Sequence, residues 1–481
     1  MRPVRQLQNV SLPLQTATLK IWRSVELAAD RTAGNTVEPR LRRVLTLWDL
    51  IFYGIVLIMP IAPVPMFGVA QQLSHGHFAT SIMIAMVAMM LTAVSYGRMA
   101  TLYPAAGSAY TYVGRGLNPH LGFLAGWSMF LDYMIQPLIN GVYGALTIQR
   151  FLPHVPYPVL AASFVGAMTL LNLRGVRSTA RTNVVLLAVM CIVIGVFVIL
   201  AVRYLYRFSG WPGIFSTQPF YDPQTFSIRV IWTSTSFAAL TYIGFDGVTT
   251  LAEEVRNPKR NVMLATVLVC LFTGIVGGAE VYLGARVWPN FASFRSPETA
   301  FMDIASRVGG PLLFQALGLV LLVASLGAGL AGQAAAARLL FCMGRDDVLP
   351  RRLFGYLDPE RNTPTRNVWL IAIVAYIGTL CISYEQAGEL LNFGAFLAFM
   401  GVNIAAFFEF GVRSRSDHRR RWFVDRLLPL VGFGFCLWIW LGLKLPAKIV
   451  GGIWLFAGLI YCAIKTRGFR ERPIAIDFTE A

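Results

Sequence analysis

The sequence predicts an all-α polytopic membrane protein with about twelve transmembrane helices, arranged as a five-plus-five inverted-repeat transporter fold in which helices one and six are discontinuous. Three observations predict it: an apolar composition, apolar stretches of membrane-spanning length, and two interrupted stretches five spans apart. The 481 residues are 56% hydrophobic and 14% charged, with a mean hydropathy of +0.60. Soluble domains carry about 25% charged residues, so lipid must be the solvent for much of this chain.

Apolar stretches long enough to cross about 30 Å of hydrocarbon recur along the chain. The predicted spans are 48–72, 78–97, 119–147, 156–173, 181–204, 226–251, 262–287, 311–343, 366–384, 388–410, 427–443 and 448–465. Spans three and eight are longer than one straight crossing needs, so we expect them to tilt or to extend beyond the membrane. The transporter domain covers 44–465, with inverted repeats over about 48–204 and 226–410 and two extra helices over 427–465.

Basic residues predict the orientation of the chain. They are concentrated before the first span and in the loops after the even-numbered spans, as at Arg42, Arg174, Arg256, Arg345 and Arg413. Loops rich in Lys and Arg stay in the cytoplasm, so the tails over 1–43 and 466–481 are predicted to be cytoplasmic and the protein to lie in the inner or plasma membrane. No secretory signal peptide is expected. The net charge of +17 is explained by these loops, and no nucleic-acid partner is expected.

The first and sixth predicted spans are interrupted near their middles. The first carries Pro60, Pro63 and Pro65, which a continuous helix cannot accommodate because proline lacks an N–H and clashes with the preceding turn. The sixth carries Gly244, Asp246 and Gly247, and glycine permits unwinding. Open backbone at membrane depth is tolerated where it lines a cavity or is buried in protein. Two such breaks five helices apart indicate an inverted-repeat transporter with its substrate site between them.

Asp246 is the first candidate for substrate binding, because a carboxylate in the membrane is costly unless it serves a site. The alternative is a structural cap on the second half of the broken helix, and the two roles are compatible. Backbone groups from Ile243 to Gly247 would then face a small polar ligand. Residues at the two breaks are expected to line the same site, with aromatic side chains as walls or as ordinary bundle core. These candidates are Ile61, Ala62, Pro63, Tyr242, Gly244 and Phe245.

The third span adds a polar face. Tyr133, Gln136 and Asn140 are spaced to share one side of a helix, with Asp132 beside them. Tyr133 and Gln136 are therefore candidate substrate ligands. The alternative is hydrogen bonding between helices, which is common in membrane bundles.

Two further acids are candidates for coupling and gating. Glu280 lies within the seventh span and is a candidate proton carrier, and Glu254 precedes a basic run that it can pair with across an inner gate. Pairing at the surface, worth under about 1 kcal/mol, is the alternative for Glu254. The eighth span has few hydroxyl groups, so sodium, which needs several oxygen ligands, is disfavoured and a proton is the expected coupling ion.

Other classes of function find little support. The six cysteines are scattered without metal-ligand spacing, and the five histidines fall in loops or at span ends. We therefore expect no metal, no cofactor and no enzymatic activity. A channel would need a conducting filter, and the sequence contains no recognisable one.

Three stretches resemble the amino acid–polyamine–organocation superfamily, and within it the putrescine-importer-like branch. They are SYGRMATLYPAAGSAYTYVGRGLNPHLGFLAGWSMFLDYM (95–134), GFDGVTTLAEEVRNPKR (244–260) and RLLFCMGRDDVLPRRLFGYLDPERNTPTRNV (338–368). The resemblance covers about 45–465. It implies a carrier that imports a small amine such as putrescine, with Tyr133 and Asp246 in the site.

The chain departs from that branch at two places. Putrescine importers carry an acid shortly before the FG pair of the first break, where this chain has Pro65, and this weakens the case for a dication. Proton-coupled amino-acid carriers have a lysine in the fifth span, and the segment 182–196 has none, which argues against that branch. We therefore predict a proton-coupled importer of a small amine that works by alternating access, with an amino-acid permease, either symporter or exchanger, as the alternative.

Overall fold

The structure is a computed structural model that describes residues 45–103, 108–174, 180–345, 349–359, 363–413 and 422–471. The predicted tail over 1–43 lies outside these residues, as does the end of the second tail from 472 onward. The α-helices of the described part are α1 (Leu47–Ile58), α2 (Phe67–Leu73), α3 (Phe78–Leu102), α4 (Ser108–Gly116), α5 (Pro119–Phe151), α6 (Tyr157–Leu173), α7 (Ala180–Ile214), α8 (Ile228–Ala238), α9 (Pro258–Val287), α10 (Ala300–Arg345), α11 (Arg351–Phe354), α12 (Thr365–Cys381), α13 (Tyr384–Ala406), α14 (Leu428–Gly442) and α15 (Leu445–Lys465). Short 3-10 segments follow α8 (Ala239–Tyr242 and Phe245–Glu254), and π-helical turns follow α13 (Phe407–Arg413) and precede α14 (Phe423–Leu427).

The helices account for the twelve predicted spans. Among the described residues, seven helices are long and apolar enough to cross a membrane, namely α3, α7, α9, α10, α13, α14 and α15. Three shorter apolar helices, α1, α6 and α12, supply spans one, four and nine. The long, more polar α5 is span three, and α8 with its 3-10 continuation is span six. The all-α, discontinuous architecture is therefore confirmed.

The packing follows the two repeats. In a five-plus-five arrangement, each span of the first repeat corresponds to the span five places later. The most extensive helix contacts join α3 to α9 and α5 to α10, which are spans two and seven and spans three and eight. Spans four and nine pack through α6 and α12, and the broken spans one and six pack through α1 and the 3-10 segment Phe245–Glu254. Four pairs of corresponding spans from the two repeats are thus in contact with each other.

The structure moves the ends of several predicted spans. The helix of span eight begins at Ala300 rather than at 311, and it is kinked at Gly310, whose φ is 67°. The kink precedes Pro311, which lacks an N–H and disfavours helical geometry in the residue before it. Span five likewise extends to Ile214, with a non-helical Gly210 near its end. The short α4, between spans two and three, was not predicted as an element.

Candidate functional site

The two helix breaks lie against each other. α1 ends at Ile58, and the next residue, Met59, has a φ of 69°, so the chain leaves the helix before the prolines begin. In span six, Gly244 has a φ of 113°. A Cβ placed on Gly244 would lie 3.5 Å from the carbonyl oxygen of Leu57, and one on Gly247 would lie 2.7 Å from the Leu57 Cδ1. The sixth span therefore needs glycine at 244 for its backbone conformation, while Gly247 lets the side chain of Leu57 pack closely on the segment.

The first break is a series of tight turns rather than an open coil. The N–H of Ala62 donates to the Met59 carbonyl at 3.1 Å, and the N–H of Val64 donates to the Ile61 carbonyl at 3.0 Å. Each proline removes one N–H from this stretch, so the regular helical ladder cannot continue. The helix resumes at Phe67.

A cavity of about 130 Å³ lies beside the breaks. Spans one, three, six, eight and ten all contribute to its lining. Its polar lining residues are Gln136, Asn140, Tyr143, Ser325 and Tyr384. Of the residues predicted to bind substrate, Ile61, Ala62 and Gln136 line it.

One polar stripe on α5 leads along this cavity. The Asn140 amide donates to the Gln136 carbonyl oxygen at 2.8 Å and approaches its side-chain oxygen at 3.2 Å. Tyr143, one turn further, packs against Tyr384 of span ten with ring centroids 5.7 Å apart. The sequence pattern had placed Gln136 and Asn140 on one face. Tyr143 continues that stripe and was missed, and Tyr384 was missed because it begins a span.

Asp246 lies beyond the cavity, three residues after Ile243, which lines it. Its side chain is 9% exposed, and the backbone N–H groups of Gly244, Asp246 and Gly247 hydrogen-bond its carboxylate. The Thr249 hydroxyl donates to the Asp246 carbonyl at 2.6 Å. Asp246 therefore lies in the first turn of the 3-10 segment and accepts N–H groups at its start, which is close to the structural alternative named above.

Four other polar side chains are within electrostatic range of Asp246, and we call the five together the acid–tyrosine cluster. Asp246 interacts electrostatically with the other four. The cluster consists of Asp132, Asp246, Tyr96, Tyr112 and Tyr133. Within the described part of the chain, the Tyr96 hydroxyl and the Asp132 Oδ1 have no hydrogen-bond partner. Tyr133 and its neighbour Asp132, both named from the sequence, thus interact electrostatically with Asp246.

Three predicted binding residues lie away from the cavity. Tyr242 is fully buried, and its hydroxyl donates to the Ile82 carbonyl at 2.8 Å. Phe245 is also fully buried, with its ring 5.4 Å from that of Tyr96 and 5.2 Å from that of Phe399. Pro63 packs against α9, where a Cβ on Gly277 would come within 2.6 Å of its ring.

The predicted coupling residue Glu280 is deep in α9. Its side chain has no exposed surface, and neither carboxyl oxygen has a hydrogen-bond partner among the described residues. One turn to either side, Gly277 approaches Pro63 and Gly284 approaches Phe67, so this face of α9 packs on the first break and on α2. The side chain of the other coupling candidate, Glu254, lies outside the described part of the structure.

Paired broken helices beside a cavity at membrane depth, inside two packed repeats, define an inverted-repeat membrane transporter. Comparison with known proteins then gives the family. A model of the amino acid permease family matches residues 64–466, and the chain belongs to that family.

Relatives with different cargoes are similar over nearly the full length. The chain is 32% identical to the low-affinity putrescine importer PlaP of Escherichia coli, over 91% of this chain and 96% of that protein. It is 26% identical to the branched-chain amino acid permease BcaP of Lactococcus lactis, over 91% and 98% of the two chains. It is 27% identical to a methylthioribose transporter of Bacillus subtilis, over 89% and 94%.

Proposed function

We propose that this protein is a secondary active importer of a small diamine such as putrescine and that it works by alternating access. The observation that carries the proposal is the buried Asp246 carboxylate at the unwound sixth span, which interacts electrostatically with Tyr133 and follows the cavity-lining Ile243 by three residues. The similarity to the putrescine importer over nine-tenths of both chains supports the same substrate class.

The recognition chemistry follows from these groups. Asp246 would neutralise one ammonium group of the substrate, since a buried cation needs an anionic partner. The face of Tyr133 would add a cation–π contact of about 0.5–2 kcal/mol. Gln136 and the backbone at Ile61, Ala62 and Gly244 would meet the remainder of the ligand on its path from the cavity. Rocking of the bundle that holds spans one and six would open the site to one side of the membrane at a time.

The driving force depends on the orientation and on the charge of the substrate. With both tails in the cytoplasm, as the basic residues predict, the negative interior pulls amines inward. The membrane potential supplies about 2.3 kcal/mol per charge per 100 mV, so a dication gains twice what a monocation gains. A proton would add to this force, with Glu280 as its carrier and Glu254 in an inner gate.

An amino-acid permease is the second candidate. The family of the chain, the similarity to the branched-chain amino acid permease and Pro65 at the first break, in place of the acid of putrescine importers, all favour it. In that case the carboxylate of the ligand would bind N–H groups at the first break, near Ala62.

Uptake of radiolabelled putrescine into proteoliposomes under an inward proton gradient separates the two candidates. Saturable uptake that cadaverine inhibits and leucine does not is the expected result. Uptake of a neutral amino acid with no uptake or competition by putrescine would overturn the diamine proposal in favour of the permease.

A further inference from the structure

The acid–tyrosine cluster contains two buried carboxylates, Asp132 and Asp246. Asp132 is 7% exposed and Asp246 is 9% exposed, and the two side chains interact electrostatically. Among the described residues, no Lys, Arg or His forms an ion pair with either carboxylate. The described residues therefore supply no positive charge to this pair through an ion pair.

The two carboxylates are not satisfied in the same way. Backbone N–H groups bond Asp246, whereas the Oδ1 of Asp132 has no partner in the described chain. A buried polar group without a partner is unfavourable, and a second carboxylate within electrostatic range makes it unfavourable for both acids to be ionised. A ligand with two positive charges removes both penalties, and a ligand with one positive charge removes only part of them.

Asp132 lies on α5 one turn from a residue that lines the cavity. Asp132, Gln136 and Asn140 are four residues apart, so they lie on one face of the helix, about 6 Å per step. Gln136 and Asn140 line the cavity, and Asp132 is the next member of the stripe. Asp132 is therefore the acid of this face nearest to the cavity lining, and it interacts electrostatically with Asp246.

We infer that Asp132 is a second anionic subsite, which binds the far ammonium group of a diamine whose near ammonium group is held by Asp246. This inference rests on the proposed function and deepens it, because it assigns the preference for diamines over monoamines and amino acids to a residue of span three. The acid that putrescine importers carry at the first break, absent here at Pro65, is then not required for a dication.

A comparison of putrescine with butylamine tests the subsite, since butylamine has the same carbon chain and one amino group fewer. In the wild type, putrescine should bind at least about tenfold more tightly than butylamine, because only putrescine occupies both carboxylates. Asp132→Asn should lower the affinity for putrescine by at least about tenfold, whereas the affinity for butylamine should stay within about twofold of the wild-type value. Asp246→Asn should lower the affinity for both amines. Asp132→Glu, which restores the charge, should recover most of the putrescine affinity.

The measurements are competition against radiolabelled putrescine uptake in proteoliposomes and thermal stabilisation of the purified protein. The matched control is Asp222→Asn, in the loop before α8, where the carboxylate accepts the Gln224 N–H at 2.9 Å and is not part of the acid–tyrosine cluster. Its amine affinities should equal those of the wild type.

Several results would overturn the inference. They are equal affinity of the wild type for putrescine and butylamine, unchanged putrescine affinity in Asp132→Asn, and an equal loss for both amines in that variant. The wild-type comparison decides the matter even if Asp132→Asn does not fold. Failure of the wild type to bind any amine would overturn the proposed function as well, so the two failures are distinguishable.

Discussion

Replacing Glu280 with glutamine is expected to uncouple transport from the proton gradient and to preserve substrate exchange. Glu280 is fully buried on the face of α9 that packs on the first break, and both of its carboxyl oxygens lack hydrogen-bond partners among the described residues. Glutamine has nearly the same shape and cannot release a proton. A carrier that exchanges one substrate molecule for another needs no net proton movement, so that partial reaction should continue.

The size of the effect follows from the gradient. One proton moving down a gradient of one pH unit releases 1.36 kcal/mol, which supports about a tenfold accumulation of substrate. The wild type should therefore concentrate putrescine about tenfold at zero membrane potential, and Glu280→Gln should not concentrate it at all.

The free energy of unfolding provides a second, independent test of the role of Glu280. A buried polar group without a partner costs about 1–3 kcal/mol, so Glu280→Met should raise the free energy of unfolding by a similar amount while coupling is lost. A residue that destabilises the fold yet supports transport is expected of a functional site rather than of a structural one.

The assay compares two modes in the same proteoliposomes: accumulation driven by a pH gradient with the potential clamped at zero, and counterflow into liposomes loaded with putrescine. Glu409→Gln is the matched control, since that acid pairs with Arg413 at 3.0 Å near the end of span ten. Full gradient-driven accumulation by Glu280→Gln would refute the reasoning. Loss of counterflow together with accumulation would also contradict it.

Two further predictions concern the backbone break and a loop. Gly244→Ala should cost about 1–2 kcal/mol and slow transport severely, because the φ of 113° is unfavourable for a residue with a Cβ; an unchanged melting temperature and uptake rate would contradict this. Burial lowers the pKa of His77, which precedes α3, below its ordinary 6.5, and the nearby Asp222 opposes that shift. Because the folded-state pKa is lowered, the contribution of His77 to stability is complete above pH 6.5 and is lost as the pH drops and the ring protonates. The melting temperature of His77→Gln should therefore depend less on pH below pH 6.5 than that of the wild type. Equal pH profiles for the two proteins would contradict that link.

The architecture was predictable because the bilayer imposes strong constraints on a sequence. Apolar length predicts spans, and three prolines or a glycine–acid–glycine pattern within a span predict its interruption. The structure has both breaks where the sequence places them, at Met59 and at Gly244. The exact helix ends were less predictable, because an amphiphilic extension such as Ala300–Gly309 carries no clear apolar signal.

The composition of the site was harder to predict, because it depends on how the helices pack. The spacing on α5 predicted the stripe of Gln136 and Asn140, yet helix periodicity cannot say that Asp132 faces span six. Tyr242 and Phe245 flank the break in the sequence, whereas the packing of span six turns both into the protein core. Long-range contacts of this kind are set by ridges and grooves between helices rather than by local sequence.

The central claim, that a membrane-embedded carboxylate makes this protein an amine importer, is tested most directly by putrescine uptake in wild-type and Asp246→Asn proteoliposomes with equal amounts of inserted protein. We expect saturable uptake by the wild type and none above background for Asp246→Asn. Equal uptake by the two proteins would contradict it.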